Sequence, residues 1–404
     1  MCPDNFDRRS ALASGRYDGV PGKASVRMAE LKDDLHIRRG TCHVLLAYDI
    51  GQGIALDLAE RLTTDATQRE VIRPSRRVSQ AIQFKPPPLR ITRGMPSIAI
   101  GRHATQPAVD MVLYDFGAVS VEYAIPLSGA MSNLIDLADA LFENPALLED
   151  ARSRVQGLLS VVGPAIVRPE ISGFFEDYFL YEIEEYELPS GERLAGWLDR
   201  RRAMIASLLR AERGTLSMQV CEDATSARVS YTDDDAAIID WNAAVLIDKE
   251  PEDARAVFSY ANVELLEMRH LDERLDDTLD TAFDAVNRAE SRGIMNAVRG
   301  AVRGTELRRI AELQVDGALL FEGVNNALKL LGDQYLARVY QAAAQRMHLP
   351  EWDASILRKL GTLESIYDKL SDRQATRRME ILEWIIIVLI FVSIVLPFVW
   401  KGGH

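Results

Sequence analysis

Cysteine is scarce in this chain. Only Cys2, Cys42 and Cys221 occur in 404 residues, far apart and without a CxxC pair, which excludes a disulfide framework and a cysteine-based zinc site and fits a reducing compartment. The six histidines, at positions 36, 43, 103, 270, 348 and 404, include no HExxH pair, so their spacing suggests no metal ligands. Gly15 to Ser25 (GRYDGVPGKAS) is reminiscent of a phosphate loop, but position 17 is Tyr and Ala24 follows Lys23, so the Gly-x4-Gly-Lys-Ser/Thr pattern fails and no nucleotide site follows. A Gly-x-Ser-x-Gly nucleophile elbow is also missing. Positive charge is short: 47 Lys and Arg stand against 60 Asp and Glu, a net charge of −13. Affinity for polyanions comes from cations that neutralise phosphates, so no direct nucleic-acid partner is expected. The N-terminus has no apolar h-region, and Asp4, Asp7, Asp18 and Glu30 among its arginines are unlike a mitochondrial presequence; no targeting signal is expected.

What the chain does have is an ordinary globular composition, 48% hydrophobic and 26% charged, and one long apolar run. Trp384 to Trp400 (WIIIVLIFVSIVLPFVW) has no charge. With Ile381 to Glu383 it reaches the roughly 20 residues that cross a hydrocarbon core. Trp384 and Trp400 mark its ends, Arg373, Arg377 and Arg378 precede it, and only Lys401 of the basic residues follows, a distribution that places the N-terminal side in the cytoplasm. Glu383, at the edge of the run, can reach the headgroup layer or pair with Arg377 or Arg378 of a neighbouring protomer. These features predict a single transmembrane helix over 381–400, a bilayer partner and a bacterial inner-membrane location.

The rest divides by pattern. Residues 1–40 are polar and aperiodic and read as a flexible tail. Over 41–250 strands and helices mix without regular alternation, as in an α+β domain. Strands are expected at Cys42–Tyr48, in a hairpin from Met111 through Phe116-Gly117 to Tyr123, at Tyr178–Glu184 and at Ala236–Ile247. Helices are expected at Leu134–Phe142, Ala146–Leu159 and Gly191–Arg213. The acidic groups Glu182, Glu184, Glu185 and Glu187, and Asp233 to Asp235, could gather a divalent ion, although solvated strand ends and turns explain them more simply.

Residues 251–372 read as a helical, coiled-coil-like stalk. Pro251 and the acids Glu252 and Asp253 open a helix whose stripe runs through Ala254, Val257, Ala261, Leu265, Met268, Leu271, Leu275, Leu279, Ala282 and Val286. A second helix, over about 305–347, carries Ile310, Leu313, Leu320, Val324, Leu328, Leu331, Tyr335 and Val339, and Leu349-Pro350 interrupts it before Ile356, Leu360 and Leu363 continue the stripe. The spacing fits a hairpin within one chain or a seam between copies, because heptads do not say whose helices meet. A homo-oligomer is expected along that seam.

The stretches Leu313-Gln-Val-Asp316, Phe321 to Tyr335, Ile356-Leu-Arg-Lys-Leu360 and Leu382-Glu-Trp-Ile-Ile-Ile387 resemble domain-of-unknown-function family 155, which includes the required-for-meiotic-nuclear-division and Sad1-interacting-factor proteins. The resemblance implies a bacterial member, inner-membrane attachment and a link to translation, with no catalytic residues to carry over. The expected protein is therefore a tail-anchored, self-associating scaffold with no catalytic, cofactor or metal residues and a protein partner the sequence does not identify. The contrasting expectations are a membrane-bound enzyme with a pocket near Asp49–Gly53, and a ribosome tether using Arg200, Arg201 and Arg202.

Overall fold

The computed structural model describes residues 34–63, 67–69, 86–189, 191–291 and 334–369. Its centre is β1 (His36–Asp49), followed in order by α1 (Leu56–Leu62), β2 (Thr67–Arg69), β3 (Leu89–Gly94), β4 (Ala99–Ile100), β5 (His103–Ala104), β6 (Ala108–Leu113) and β7 (Ala118–Ala130). Next come α2 (Leu134–Leu141), α3 (Pro145–Val162), β8 (Glu176–Glu187), α4 (Leu194–Arg200), α5 (Arg202–Leu209) and α6 (Met218–Ala224). The described chain closes with β9 (Ala227–Val229), β10 (Ala236–Ile239), β11 (Ala243–Ile247), α7 (Glu252–Ser291), α8 (Gln334–Arg346) and α9 (349–369).

Among the described residues nine strands form one sheet in the order β2-β3-β6-β7-β1-β8-β11-β10-β9, with β8 and β11 parallel and the other pairs antiparallel. Side chains alternate across a strand, and both faces of β1 are covered. Val44, Leu46 and Tyr48 join Val121 and Tyr123 of β7 and Tyr181 of β8 under helices α1 to α5. Leu45, with Tyr178 and Leu180 of β8, faces Val257, Phe258 and Ala261 of α7 and Leu336 and Val339 of α8. The result is three layers, helix on sheet on helix, with a core on either side of the sheet.

Local chemistry sets several boundaries. Asn144 caps α3 by accepting from Leu147 N at 3.3 Å, with Pro145 in the first turn. Ser217 caps α6 in the same way through Val220 N. The helix expected over Gly191–Arg213 is two helices, because Arg201 leaves helical geometry between α4 and α5. The strand expected over Ala236–Ile247 is the hairpin β10–β11, reversed at Asp240, Trp241 and Asn242 without the Gly that usually signals such a turn. Strand β1 begins at His36, inside the segment read as a tail, because pairing with both β7 and β8 continues past a bulge at Ile37–Gly40. The break expected at Leu349-Pro350 falls at Met347–His348, where His348 has φ +58.

The fold class needs one correction. The described architecture is α+β with a large mixed sheet and C-terminal helices, and among the described residues no helix is long and apolar enough to cross a membrane. The longest, α7, spans 40 residues but carries acids and bases throughout, including Glu264, Glu267, Arg269, Glu273, Arg274 and Asp276, each costly in hydrocarbon. The single-pass, tail-anchored inner-membrane address is therefore not supported. The segment on which it rested, with Arg377, Arg378, Glu383, Trp384, Trp400 and Lys401, lies outside the described residues.

Backbone contact explains one glycine. The loop after β1 docks on the β6–β7 turn through Ile50 N to Gly117 O at 2.9 Å and Ile54 N to Asp115 O at 2.7 Å. Gly117 has φ +122, and a Cβ there would lie 1.8 Å from the carbonyl oxygen of Gly51. Gly117→Ala should lower stability by at least about 1–3 kcal/mol from backbone strain alone, measured as a shift of the urea midpoint; an unchanged midpoint would show that the loop moves away at no cost.

Candidate functional site

The face of the sheet under α7 carries a row of buried polar side chains. The strand period puts His43 and Asp49 of β1, Ser120 and Glu122 of β7, and Glu176 and Glu182 of β8 on this face, all buried. Ser259, Asn262, Glu264 and Glu267 meet them from α7, at most 4% exposed. Near the start of α7, Arg255 Nη1 lies 2.7 Å from His43 Nε2 and 3.4 Å from Glu182, and His43 is 3.2 Å from Glu182. Beside it, Ser259 donates to Glu122 at 2.7 Å, and Arg90 reaches both Asp110 at 2.6 Å and Glu122 at 3.5 Å. These contacts satisfy most of the groups that would otherwise be costly to bury, although Glu182 Oε1 is buried without a hydrogen-bond partner.

Farther along α7 the satisfaction is incomplete. Glu264 accepts from Tyr340 Oη at 2.6 Å, yet burial pushes its carboxyl up to about 8. Both carboxylate oxygens of Glu267 are buried without a hydrogen-bond partner. Burial, with the charge of Asp49, holds the Glu267 carboxyl well above its ordinary range. Burial also raises Asp49 to about 7, partly opposed by Arg274 and the Gly51 N–H. His270 Nε2 stands 3.9 Å from Asp49, and burial pushes its imidazole down to about 4. Asp49 and Glu267 thus resemble a pair in which like charges cannot both ionise.

A second feature opens to solvent. β11 starts opposite Phe179 whereas β8 starts at Glu176, so the first residues of β8 outrun their neighbour and leave a notch. The notch is a cleft of about 300 Å³ walled by Phe142, Phe175, Phe179 and Trp241, with Glu143, Glu176, Asp177 and Arg269 among its polar residues. Arg269 reaches it from α7, pairs with Glu176 and lies 5.9 Å from the Phe174 ring centroid. Burial raises Glu176 to about 7 against the opposing charge of Arg269. Glu143, at φ +48, turns the chain from α2 into the Asn144 cap.

Beside the cleft, fully buried Asp240 forms an ion pair with Arg210, accepting from its Nη2 at 3.3 Å, and also pairs with Arg346 of α8. Both arginines reach Asp223, at 2.7 and 3.0 Å.

The residues expected to matter are distributed differently. Ile310, Leu313, Leu320, Val324, Leu328 and Leu331 of the expected seam lie outside the described residues, as do Cys2, His404 and the Gly15–Ser25 segment. Tyr335 and Val339 are buried within the chain, on the sheet and α7. The first α7 stripe is likewise occupied internally, by the sheet as far as Leu265, with Val263 and Leu266 beside it also on the sheet, and then by α9, where Met268, Leu271 and Leu275 meet Ile356, Leu363 and Ile366. The acidic groups are engaged in pairs or turns: Glu184 and Glu185 with Arg39, Glu187 with Arg38, and Asp235 with the Tyr231 and Thr232 amides. Among the described residues no cluster of three His, Cys, Asp or Glu is arranged to hold a metal. Sequence reasoning missed Glu264, Glu267, Asp177 and Trp241. Glu264 had a signal, since it follows Ala261 by three and borders the stripe, whereas Glu267 lies well off that stripe at the helical period of 3.6 and its burial comes from the second face of α7 meeting the sheet.

Residues 39–254 match the family described as "Uncharacterized protein MJ0711, N-terminal domain". Uncharacterized protein MJ0711 of Methanocaldococcus jannaschii is 22% identical over 225 residues, 55% of this chain and 66% of the relative, so the match spans just under two thirds of that relative's length. No solved structure matches. The match overturns the resemblance to domain-of-unknown-function family 155. That resemblance rested on sequence stretches beyond residue 312, outside the matched segment, and on the order and length of the domain before them; an apolar stripe of helical period recurs in sequences whatever the ancestry.

The raised carboxyls give a signed prediction. Asp49 and Glu176, near 7, and Glu264, near 8, keep protons in the folded chain that unfolded carboxyls release at about pH 4. From about pH 4 until the native carboxyls ionise near pH 7 to 8 the native state holds protons that the unfolded chain has lost, so stability falls as pH rises, and above about pH 6.5 these carboxyls act without His270. His270 acts in the opposite sense, only below about pH 6.5 where the unfolded imidazole is protonated. The melting temperature should drop as pH rises from about 6.5 to about 8, and Glu264→Gln should flatten part of the slope; a flat or rising profile in the parent chain would contradict the assignment.

Proposed function

We propose, from the premise that this chain belongs to the MJ0711 N-terminal domain family, that it is a non-enzymatic scaffold whose three-layer body carries a helical arm through which two copies associate. The observation that carries this reading is the reach of α7. Its 40 residues extend about 60 Å. The helix stays on the sheet as far as His270, through Val263, Leu266 and the pairs of Arg269 with Glu176 and His270 with Asp49, and from Met268 onward its apolar stripe is covered by α9. Two paired helices bury one seam and leave their outer faces open, and here Phe283 and Leu357 are 50% and 53% exposed.

The alternatives draw less support. Carboxylates do converge near Asp49–Gly53, but Asp49 is 8% and Glu267 3% exposed, whereas a general base must reach its substrate. The ribosome reading needs an unopposed basic surface. Arg200 instead pairs with Glu192 at 2.5 Å and Arg202 with Asp199 at 3.7 Å, and the family resemblance behind that reading is overturned.

The test is the mass of the full-length protein by light scattering, beside that of a Phe283→Asp, Leu357→Asp double variant. A dimer or larger assembly that becomes monomeric in the variant, with unchanged far-ultraviolet circular dichroism, supports the arm. A parent chain that is monomeric at tens of micromolar, or a variant that still assembles, sinks it.

A further inference from the structure

We propose that the cleft at the start of β8 binds a small organic cation, an alkylammonium group carried on an apolar or aromatic stem. The site is independent of the arm. Its walls are aromatic, supplied by Phe142, Phe175, Phe179 and Trp241, and its volume of about 300 Å³ is at the lower end for small-molecule sites. Ring faces attract a cation through their quadrupoles, most strongly when water is excluded.

The charges around the cleft favour the same sign. Three carboxylates, Glu143, Glu176 and Asp177, face one guanidinium, Arg269. That guanidinium is engaged with the buried Glu176 and lies near the Phe174 ring, so the exposed carboxylate of Glu143 sets the sign of the rim. The start of α3 also borders the cleft, and a helix N-terminus ordinarily favours an anion. Here one of its first donors is missing and two are engaged: Pro145 has no N–H, Leu147 N bonds to the Asn144 side chain and Leu148 N to the Asn144 carbonyl at 3.1 Å. An anion would meet the acidic rim with few free donors, whereas an ammonium would meet carboxylates and ring faces together.

Calorimetric titration of the full-length chain with three probes of similar shape tests this: phenethylammonium, 2-phenylethanol and 3-phenylpropionate. The ammonium should bind saturably at one site, the alcohol about tenfold or more weakly, equivalent to about 1.4 kcal/mol, and the carboxylate not at all. Asp177→Asn should weaken the ammonium without changing the alcohol, and Trp241→Ala should weaken both. If Asp177→Asn melts earlier than the parent, Glu143→Gln, at an exposed position, serves as the charge variant. Binding of the carboxylate in preference to the ammonium, equal binding of all three probes, or binding of none overturns the proposal.

Discussion

Covering the central strand on both faces is the constraint from which the rest of the structure follows. β1 pairs with β7 on one side and β8 on the other, so it has no edge to expose, and its two rows of side chains need separate covers. The first cover comes from α1 to α5, which are local to the strands they join. The second must come from the C-terminal helices, because the short connections of the body are already used. The length and polarity of α7 follow from that assignment. One helix has to cross β7, β1 and β8, whose strand ends bring charged and hydroxyl side chains under it.

The polar row beneath α7 is weakly stabilising at best, since burying an ion pair costs about as much in lost hydration as the attraction returns. Its value lies in discrimination. Ser259 meets Glu122, Arg255 meets His43 and Glu182, and Tyr340 meets Glu264 in one register of α7 on the sheet. A helix shifted by one turn would bury the same charges without partners. Apolar contacts alone, such as those of Val257 and Ala261, would tolerate such a slip far better.

Much of this was legible in the residues. The alternation of Val119, Val121 and Tyr123 marked a strand and Phe116-Gly117 the turn before it, but Ser120 and Glu122 on its polar face are buried as well, beneath α7. Pro251 with its two acids marked the start of α7 within a residue. What failed did so for physical reasons. Asp240-Trp241-Asn242 reverses the chain without a glycine because the buried aspartate is gripped by Arg210 and Arg346, and those arginines are far away in sequence. The apolar stripe of α7 showed the period of a helix seam but not its occupant, and sheet, α9 and a second copy all satisfy the same spacing. The cleft was illegible because it comes from a difference in where two parallel strands begin, a property of tertiary pairing alone.

The order of strands also sets when the body can close. β1 is among the first described segments of the chain, yet its outer partner β8 is far downstream: Arg38 and Glu187, which meet at the end of that ladder, are 149 residues apart. On a ribosome, β1 and β7 can pair early, but the other edge of β1, with the apolar Val44, Leu45 and Leu46, stays uncovered until β8 has emerged. An open hydrophobic edge of that kind templates pairing with other chains. The nascent protein is therefore most prone to aggregate, and most in need of a chaperone, before residue 187 has left the exit tunnel.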